Sequence, residues 1–134
     1  MIYTTTLDDI TPDRLIGFFD GWPNPPSPAR HLDLLRNSHA VVLAIDEESG
    51  RVAGFVNAIG DGVLAAYIPL LEVLPEYRGR GVGTELVRRM MDALGDLYMV
   101  DLLCDANLQP FYERLGMRPA TGMMVRRYER QNGV

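Results

Sequence analysis

This sequence of 134 residues contains no lysine, and all 13 of its basic residues are arginine. Any anion that the chain binds must therefore contact arginine side chains or backbone N–H groups. The 18 acidic residues give a net charge of −5. A net negative charge argues against binding to nucleic acid, so we expect no nucleic-acid partner.

Cysteine and histidine are also scarce. The single cysteine, Cys104, excludes an internal disulfide, and neither it nor the two histidines has the spacing of a zinc site. We expect Cys104 to be a buried and unreactive strand residue. His31 and His39 belong to no catalytic pattern and are expected in the core or at the surface. No metal is predicted.

Long apolar segments are missing too. No run approaches the roughly 20 apolar residues that span a bilayer. The first residues, MIYTTTLDD, have neither the basic start nor the apolar core of a signal peptide. We therefore expect a cytoplasmic protein that does not contact a membrane. The length and the 47% hydrophobic content fit a single domain, residues 1–134.

The N-terminal part predicts one strand and two helices. β-branched residues over Ile2–Leu7 predict the strand. Thr11–Asp13 supply an N-cap, a proline at the first helical position and an acid in the first turn, which predicts a helix to about Phe19. Residues 21–31 contain four prolines and predict a stiff loop, in which Ser27–Pro28 start the second helix.

The pattern changes to strands at Ala40. Residues 40–46, 51–59 and 63–74 are apolar, β-branched runs separated by the short turns EESG and GDG. Such turns predict an antiparallel meander of three strands. Pro69 cannot donate to a ladder, so it predicts a bulge or a local parting of the third strand from one neighbour.

An amphipathic helix is predicted next, because four apolar residues recur at every fourth position: Val82, Leu86, Met90 and Leu94. Residues 97–104 predict a buried strand, 107–116 a short helix and 118–130 a hairpin. The order of elements predicts an α+β domain, with a mixed and mostly antiparallel sheet of about six or seven strands flanked by about four helices.

Three alternate glycines, Gly79, Gly81 and Gly83, stand at the start of that helix. Glycines in this position are typical of phosphate binding, because successive N–H groups form an anion site and no β-carbon blocks the ligand. A dinucleotide fingerprint would need glycine instead of Thr84, and a P-loop would need a lysine. The remaining alternative to phosphate binding is a simple strand-to-helix turn.

Two segments resemble the signatures of the GNAT superfamily of N-acyltransferases. Arg78–Gly83 matches (Q/R)-x-x-G-x-(G/A), and it follows a strand that ends in V-x-P-x-(Y/F) at Val73–Tyr77. Asn107 and Phe111–Met117 resemble the second signature, at the separation found in the family. The resemblance covers most of the chain from Ala40 onward and implies a single-domain GNAT-like acyl-CoA N-acyltransferase fold.

The resemblance implies an N-acetyltransferase that moves an acetyl group from acetyl-CoA directly to a primary amine in a ternary complex. Residues 1–39 would form the acceptor side, 40–116 the acetyl-CoA-binding core and 117–134 a C-terminal hairpin. The pantetheine arm would lie in a gap between the third strand of the meander and residues 102–105. The implied coenzyme contacts are Leu71, Glu72, Val73, Arg78, Gly79, Arg80, Gly81, Val82, Gly83, Thr84, Asn107, Phe111 and Tyr112. For Asn107, an N-cap of the last helix is an equally good interpretation.

Acyl transfer to an amine needs a stabilised oxyanion, a proton for the leaving thiolate and a neutral amine. A backbone N–H near Val73 is expected to bind the oxyanion. The resemblance implies that Tyr112 protonates the thiolate, and the alternative is an aromatic side chain packed on the sheet with its hydroxyl bonded to backbone.

The general base is less well indicated. Many relatives carry an acid in the strand before the glycines, where this chain has Tyr67–Leu70. Glu72 is the only acid in that strand and is the predicted base; it could instead point to the other face or pair with an arginine such as Arg126. Without Glu72, the base would be Asp101 or Asp105, or the reaction would proceed without a dedicated base.

Trp22 and Tyr67 are the predicted acceptor-binding residues. The acceptor is expected to be a small-molecule or peptide amine, and the net negative charge favours a cationic one. The sequence leaves a homodimer open. Two alternatives to an enzyme remain: a non-catalytic acyl-CoA-binding sensor or regulatory module, and a structural α+β domain in which the glycines only form a turn.

Overall fold

The computed structural model describes residues 1–134 and has one five-stranded mixed sheet in the order β1-β2-β3-β4-β5. The strands are β1 Ile2–Thr4, β2 Ala40–Ile45, β3 Val52–Gly60, β4 Ala65–Val73 and β5 Met99–Asp101. The α-helices are α1 Pro28–Arg36, α2 Val82–Leu94 and α3 Gln109–Glu113. Four 3₁₀ helices complete the fold, at Pro12–Leu15, Pro75–Tyr77, Ala106–Leu108 and Tyr128–Arg130. The predicted α+β class is confirmed.

The predicted meander is confirmed as well. β2, β3 and β4 are consecutive antiparallel neighbours, and β5 joins the edge of β4 in parallel. The ladder between β3 and β4 passes from the pair Asn57–Leu70 to the pair Ile59–Tyr67. Two residues of β4, Ile68 and Pro69, therefore lie opposite one residue of β3, which is the bulge that the proline predicts.

Three predicted elements are shorter or missing, so the sheet has five strands rather than six or seven, and three α-helices are present rather than four. The first helix is only a 3₁₀ turn, because Gly17 and Phe19 adopt φ values of 99° and 64° that a right-handed helix cannot contain. The strand predicted at 97–104 pairs over Met99–Asp101 alone. The hairpin predicted in residues 117–134 is absent, because the segment has no ladder partner within its own chain.

Two apolar clusters lie on opposite faces of the sheet. On one face, the N-terminal 3₁₀ helix and α1 pack against alternate strand residues such as Leu43 and Phe55. On the other face, α2 packs against the intervening residues, such as Val42 and Val56. This is the alternation expected of strands that are covered on both sides. None of the helices has the length and apolar character that crossing a bilayer requires.

His31 lies inside the first cluster and is only 1% exposed. Its ring packs against three aromatic rings with centroid distances of 5.3, 4.8 and 4.4 Å, which belong to Phe18, Phe19 and Phe55. Neither ring nitrogen has a hydrogen-bond partner. Burial therefore lowers the pKa of His31 to about 4, because the charged imidazolium is disfavoured in this apolar surrounding.

We expect the free energy of unfolding to fall in mild acid because of His31. In the unfolded chain the imidazole titrates near pH ~6.5, but in the folded chain its pKa is about 4. The unfolded state binds more protons between these values. The protonation-linked loss of stability from His31 is therefore absent above pH ~6.5 and grows to about 3 kcal/mol as the pH falls through this window. Urea titrations from pH 4.5 to 7.5 on the wild type and on His31→Leu would measure the difference.

The matched control for this experiment is His39→Leu, because His39 is exposed. His39→Leu should retain the pH dependence of the wild type, and His31→Leu should lose most of it. Equal pH dependence in all three proteins would show that His31 is not the group responsible.

Candidate active site

β4 is paired on one edge only over most of its length. Its parallel ladder with β5 is limited to Ala65–Tyr67, whereas its ladder with β3 continues to Val73. The N–H of Leu74 donates to the Ala53 carbonyl at 2.8 Å. Alternation along an antiparallel strand then directs the N–H groups of Leu71 and Val73 away from β3. The result is an opening beside β4, with unpaired backbone donors on one of its sides.

The glycine segment lies at the end of this opening. Gly79 and Gly81 have φ values of 76° and 80°, which favour glycine. No side chain caps α2, and its first helical hydrogen bond runs from the Glu85 N–H to the Gly81 carbonyl at 3.1 Å. The N–H groups of the first turn, Val82 to Thr84, are therefore free to bind an anion. A β-carbon at Gly79 or Gly81 would meet no protein atom within 4 Å, so the space above the turn is open.

The two arginines of the segment differ in their contacts. Arg78 Nε donates to the Val73 carbonyl at 2.9 Å, which ties the glycine turn to the end of β4. The Arg80 guanidinium lies 5.7 Å from the centroid of the Tyr77 ring. Both side chains are exposed, so their remaining N–H groups can reach a bound anion.

Tyr77 anchors the glycine turn to the hairpin between β2 and β3. Its hydroxyl donates to Asp46 Oδ2 at 2.6 Å, and this hydrogen bond lowers the pKa of Asp46. Beside it, Arg51 and Glu76 form an ion pair at 2.9 Å. These partners lie 31 and 25 residues apart in the chain, so no local sequence pattern could have indicated them.

Gly83 is where the three predicted coenzyme segments meet. A β-carbon placed on it would lie 3.8 Å from both Phe111 Cζ and Val73 Cγ2. The ring of Phe111 in turn packs edge-on against Tyr112, with centroids 4.9 Å apart. The end of β4, the glycine turn and α3 are thus brought together.

Tyr112 is half-buried, and its hydroxyl has no hydrogen bond to the protein, so the alternative of a hydroxyl bonded to backbone is not found. Burial raises the pKa of Tyr112, and the nearby Cys104 contributes in the same direction. The phenol therefore holds its proton at neutral pH and is available as a donor. Cys104 is half-buried rather than buried.

Asn107 lies in the 3₁₀ helix Ala106–Leu108 and is exposed. The N-cap of α3 is Leu108, so the alternative interpretation of Asn107 as the cap of that helix is wrong. The reason is that the 3₁₀ turn precedes α3 directly and places Asn107 inside helical backbone.

Glu72 lies on the face of the sheet opposite α2, next to Phe55 in the ladder. Its Oε1 accepts a hydrogen bond from the Phe19 N–H at 2.8 Å. Burial raises the pKa of the Glu72 carboxyl, and the hydrogen bond from Phe19 and the charge of Arg78 oppose that rise. The alternative pairing with Arg126 is not found, because that side chain donates to the Val125 carbonyl. Sequence reasoning missed the role of Phe19, which is 53 residues from Glu72 and carries no motif.

Trp22 and Tyr67 line different cavities. Trp22 packs against Phe19, with ring centroids 4.8 Å apart, and lines a cavity of about 290 Å³ together with Leu70. Tyr67 and Tyr112 line a larger cavity of about 1000 Å³ together with β5 and residues 116–126. Asp101, an alternative base, is the ladder partner of Tyr67 at the closed end of the opening. No group of acidic, histidine or cysteine side chains could hold a metal ion.

Residues 7–117 match the model of the acetyltransferase (GNAT) family. A candidate acetyltransferase from Deinococcus radiodurans R1 is 53% identical, with a TM-score of 0.96 over 99% of this chain and 92% of that one. Two solved structures of lower identity share the fold. A GNAT family acetyltransferase from Streptococcus pneumoniae TIGR4 is 23% identical, with a TM-score of 0.74 over 94% of this chain and 98% of that one. Glucosamine-6-phosphate N-acetyltransferase from Arabidopsis thaliana is 24% identical, with a TM-score of 0.63 over 75% of this chain and 76% of that one. This chain belongs to the GNAT family of acetyltransferases.

Proposed function

We propose that this protein transfers an acetyl group from acetyl-CoA to a primary amine, directly and within a ternary complex. The observation that carries the proposal is the opening along β4, which has unpaired N–H groups on one side and the glycine turn at its end. An extended pantetheine arm can pair with such an edge as an added strand does. The family membership supports acetyl-CoA as the donor.

The pyrophosphate of the donor is assigned to the glycine turn and the first turn of α2. The free N–H groups of Val82, Gly83 and Thr84 supply donors, and the helix dipole adds partial positive charge. Arg78 and Arg80 supply the remaining positive charge. Because the chain has no lysine, these contacts are all made by guanidinium or backbone groups.

The transfer chemistry is assigned to three groups. The N–H groups of Leu71 and Val73 point into the opening and can stabilise the oxyanion that develops on the acetyl carbonyl. Tyr112 donates its proton to the departing thiolate. Glu72 accepts a proton from the amine, directly or through a water molecule, and the pKa raised by burial suits it to that role.

The amine is expected to approach from the face that carries Glu72, Leu70 and Trp22, since α2 covers the opposite face. We assign Trp22 and Tyr67 to acceptor binding, each in its own cavity. The acceptor is a small-molecule or peptide amine.

A non-catalytic acyl-CoA-binding module is the second candidate. Two observations favour it: Tyr67–Leu70 contain no carboxylate, and Glu72 already accepts a hydrogen bond from Phe19. Binding of acetyl-CoA without thiol release in the presence of any amine would support this candidate and contradict the enzyme.

The proposed position of the pyrophosphate can be tested by donor binding. We expect Gly81→Val to raise the dissociation constant of acetyl-CoA at least tenfold, or ~1.4 kcal/mol, because the added side chain would occupy the space of the pyrophosphate. Isothermal titration would measure it. Gly50→Val is the matched control, since Gly50 has a φ of 75° and nothing within 4 Å, but lies in the turn between β2 and β3.

Both variants carry a similar strain at a positive φ, so both must first be shown to be folded. Wild-type affinity in Gly50→Val and weakened affinity in Gly81→Val is the expected pair of results. Wild-type affinity in both variants would place the pyrophosphate elsewhere.

The proposed roles of Tyr112 and Glu72 can be tested by kinetics. A thiol-release assay over a panel of amines, with cationic amines included, should identify an acceptor. Tyr112→Phe removes the proton donor and should lower kcat by about 10²- to 10⁴-fold. Glu72→Gln should lower kcat over a similar range and should abolish the loss of kcat/KM on the acid side of the pH profile. That loss follows the pKa of the Glu72 carboxyl, which must be deprotonated to accept a proton and whose pKa is raised.

The Glu72 carboxylate also accepts a hydrogen bond from the Phe19 N–H, so a loss of stability in a Glu72 variant must be separated from a loss of the base. Gln retains an acceptor for the Phe19 N–H, whereas Glu72→Leu leaves that N–H unpaired and should cost about 1–3 kcal/mol of stability. A Glu72→Gln protein of wild-type stability and wild-type activity would exclude Glu72 as the base.

A further inference from the structure

The smaller cavity, of about 290 Å³, lies on the face of the sheet that carries Glu72. We propose that this cavity binds the part of the acceptor that does not react, and that this part is uncharged and carries several hydroxyl groups. The acceptor is then a primary amine of the amino-sugar class. This inference rests on the proposed function for the position of the reacting amine, which is placed at Glu72.

Three segments and the sheet form the cavity. The loop before α1 contributes Trp22 and Pro26, β4 contributes Leu70, and the end of the chain contributes residues 131–133. One face of α1 supplies the other four lining residues, at spacings of three and four: Arg30, Asp33, Leu34 and Asn37.

The end of the chain is fixed in its place beside α1 by side-chain hydrogen bonds. Arg30 Nε donates to the Gly133 carbonyl at 3.0 Å. The backbone N–H of Asn24 donates to Gln131 Oε1 at 2.9 Å. The polar groups of this segment are therefore held in position before any ligand arrives, which is usual for a small-molecule site.

The charged lining of the cavity is balanced. Arg30 and Asp33 are its only charged residues, and they form an ion pair at 3.0 Å. A second ammonium group on the acceptor would be attracted by Asp33 and repelled by Arg30, and a phosphate or carboxylate would meet the reverse. The cavity therefore favours an uncharged group, although the whole chain has a net charge of −5.

The lining keeps both donors and acceptors after its internal hydrogen bonds are made. Asp33 Oδ1 and Asn37 Oδ1 accept no hydrogen bond from the chain. The side-chain NH₂ groups of Gln131 and Asn132 donate none, since only their oxygens are engaged. A hydroxyl group suits such a lining because it donates and accepts at once, whereas an ammonium group only donates and a carboxylate only accepts.

Trp22 supplies an apolar wall, against which the C–H groups of a sugar ring can pack. It also links the cavity to the proposed base. The Trp22 N–H donates to the Phe19 carbonyl at 3.1 Å, and the Phe19 N–H donates to Glu72 at 2.8 Å. Leu70 lies two residues before Glu72 on β4, which is about 7 Å along a strand. An amino sugar is long enough to place its amine at Glu72 and its hydroxyl groups in the cavity.

Trp22 is the only tryptophan of the chain, so its fluorescence reports directly on the cavity. The full-length protein with coenzyme A present is titrated with four amines. Glucosamine carries the hydroxyl groups, cyclohexylamine has a ring without them, putrescine adds a second ammonium group, and glucosamine 6-phosphate adds an anion. We expect glucosamine to change the fluorescence and to bind at least tenfold more tightly than each of the other three. Thiol release from acetyl-CoA should follow the same order.

A charge substitution in the cavity should switch this preference. Asp33→Asn keeps the shape of the side chain but leaves Arg30 without its ion-pair partner. The affinity for glucosamine 6-phosphate relative to glucosamine should then rise at least tenfold. The matched control is Asp92→Asn, which removes the same charge from the exposed side of α2, on the opposite face of the sheet, and should keep the wild-type preference. The ion pair is half-exposed, so its loss costs little stability and Asp33→Asn is expected to fold.

The outcomes separate this inference from the proposed function. A cavity that binds cyclohexylamine, putrescine or glucosamine 6-phosphate as tightly as glucosamine would overturn the inference, and so would an unchanged preference in Asp33→Asn. Thiol release with an amine that leaves the Trp22 fluorescence unchanged would place the acceptor elsewhere, and acetyl transfer would stand without this cavity. Binding of glucosamine in the expected order without thiol release would support the cavity as a hydroxyl-binding site and contradict the proposed reaction.

Discussion

The parting of β4 from β5 after Tyr67 is the constraint on which the rest of the structure depends. A strand in the middle of a sheet normally bonds on both edges, but β4 leaves one edge unpaired over its second half. The bulge at Ile68–Pro69 stands at the start of that half, and Pro69 has no N–H to contribute to a ladder. The unpaired edge is tolerated because β3 pairs with the other edge of β4 as far as Val73, and because apolar clusters cover both faces of the sheet.

The same strand connects the two sides of the candidate site. The Val73 carbonyl accepts a hydrogen bond from the Arg78 side chain, and this bond fixes the glycine turn relative to the opening. One residue earlier, the Glu72 carboxylate accepts a hydrogen bond from the Phe19 N–H. This bond fixes the N-terminal layer against the face of the sheet opposite α2. A displacement of β4 would therefore move the glycine turn and the N-terminal layer together.

The meander, α2 and the glycine turn could be predicted because their signals are local: apolar, β-branched runs separated by short turns, apolar residues at every fourth position, and alternate glycines before the helix. The first helix and the C-terminal hairpin could not. The helix ends before Gly17 and Phe19, which both have positive φ, and the Phe19 N–H bonds to the distant Glu72 carboxylate instead of a helical carbonyl. The hairpin fails because a strand needs a neighbour, and composition gives no information on which neighbour is present. The candidate site follows the same rule. Gly81 lies in one contiguous motif and Phe111 and Tyr112 lie in another, whereas the hydrogen bond between Asp46 and Tyr77 joins residues that no motif relates.

The cationic side chains of this protein are all guanidinium groups, and this has a consequence for its own chemical stability. A thioester donor acylates free amines, and lysine ε-amines are the usual targets on a protein surface. Arg78 and Arg80 stand beside the proposed donor site, yet a guanidinium stays protonated at any physiological pH and is a very poor nucleophile. A chain without ε-amines offers a reactive acyl donor no lysine side chain to acylate.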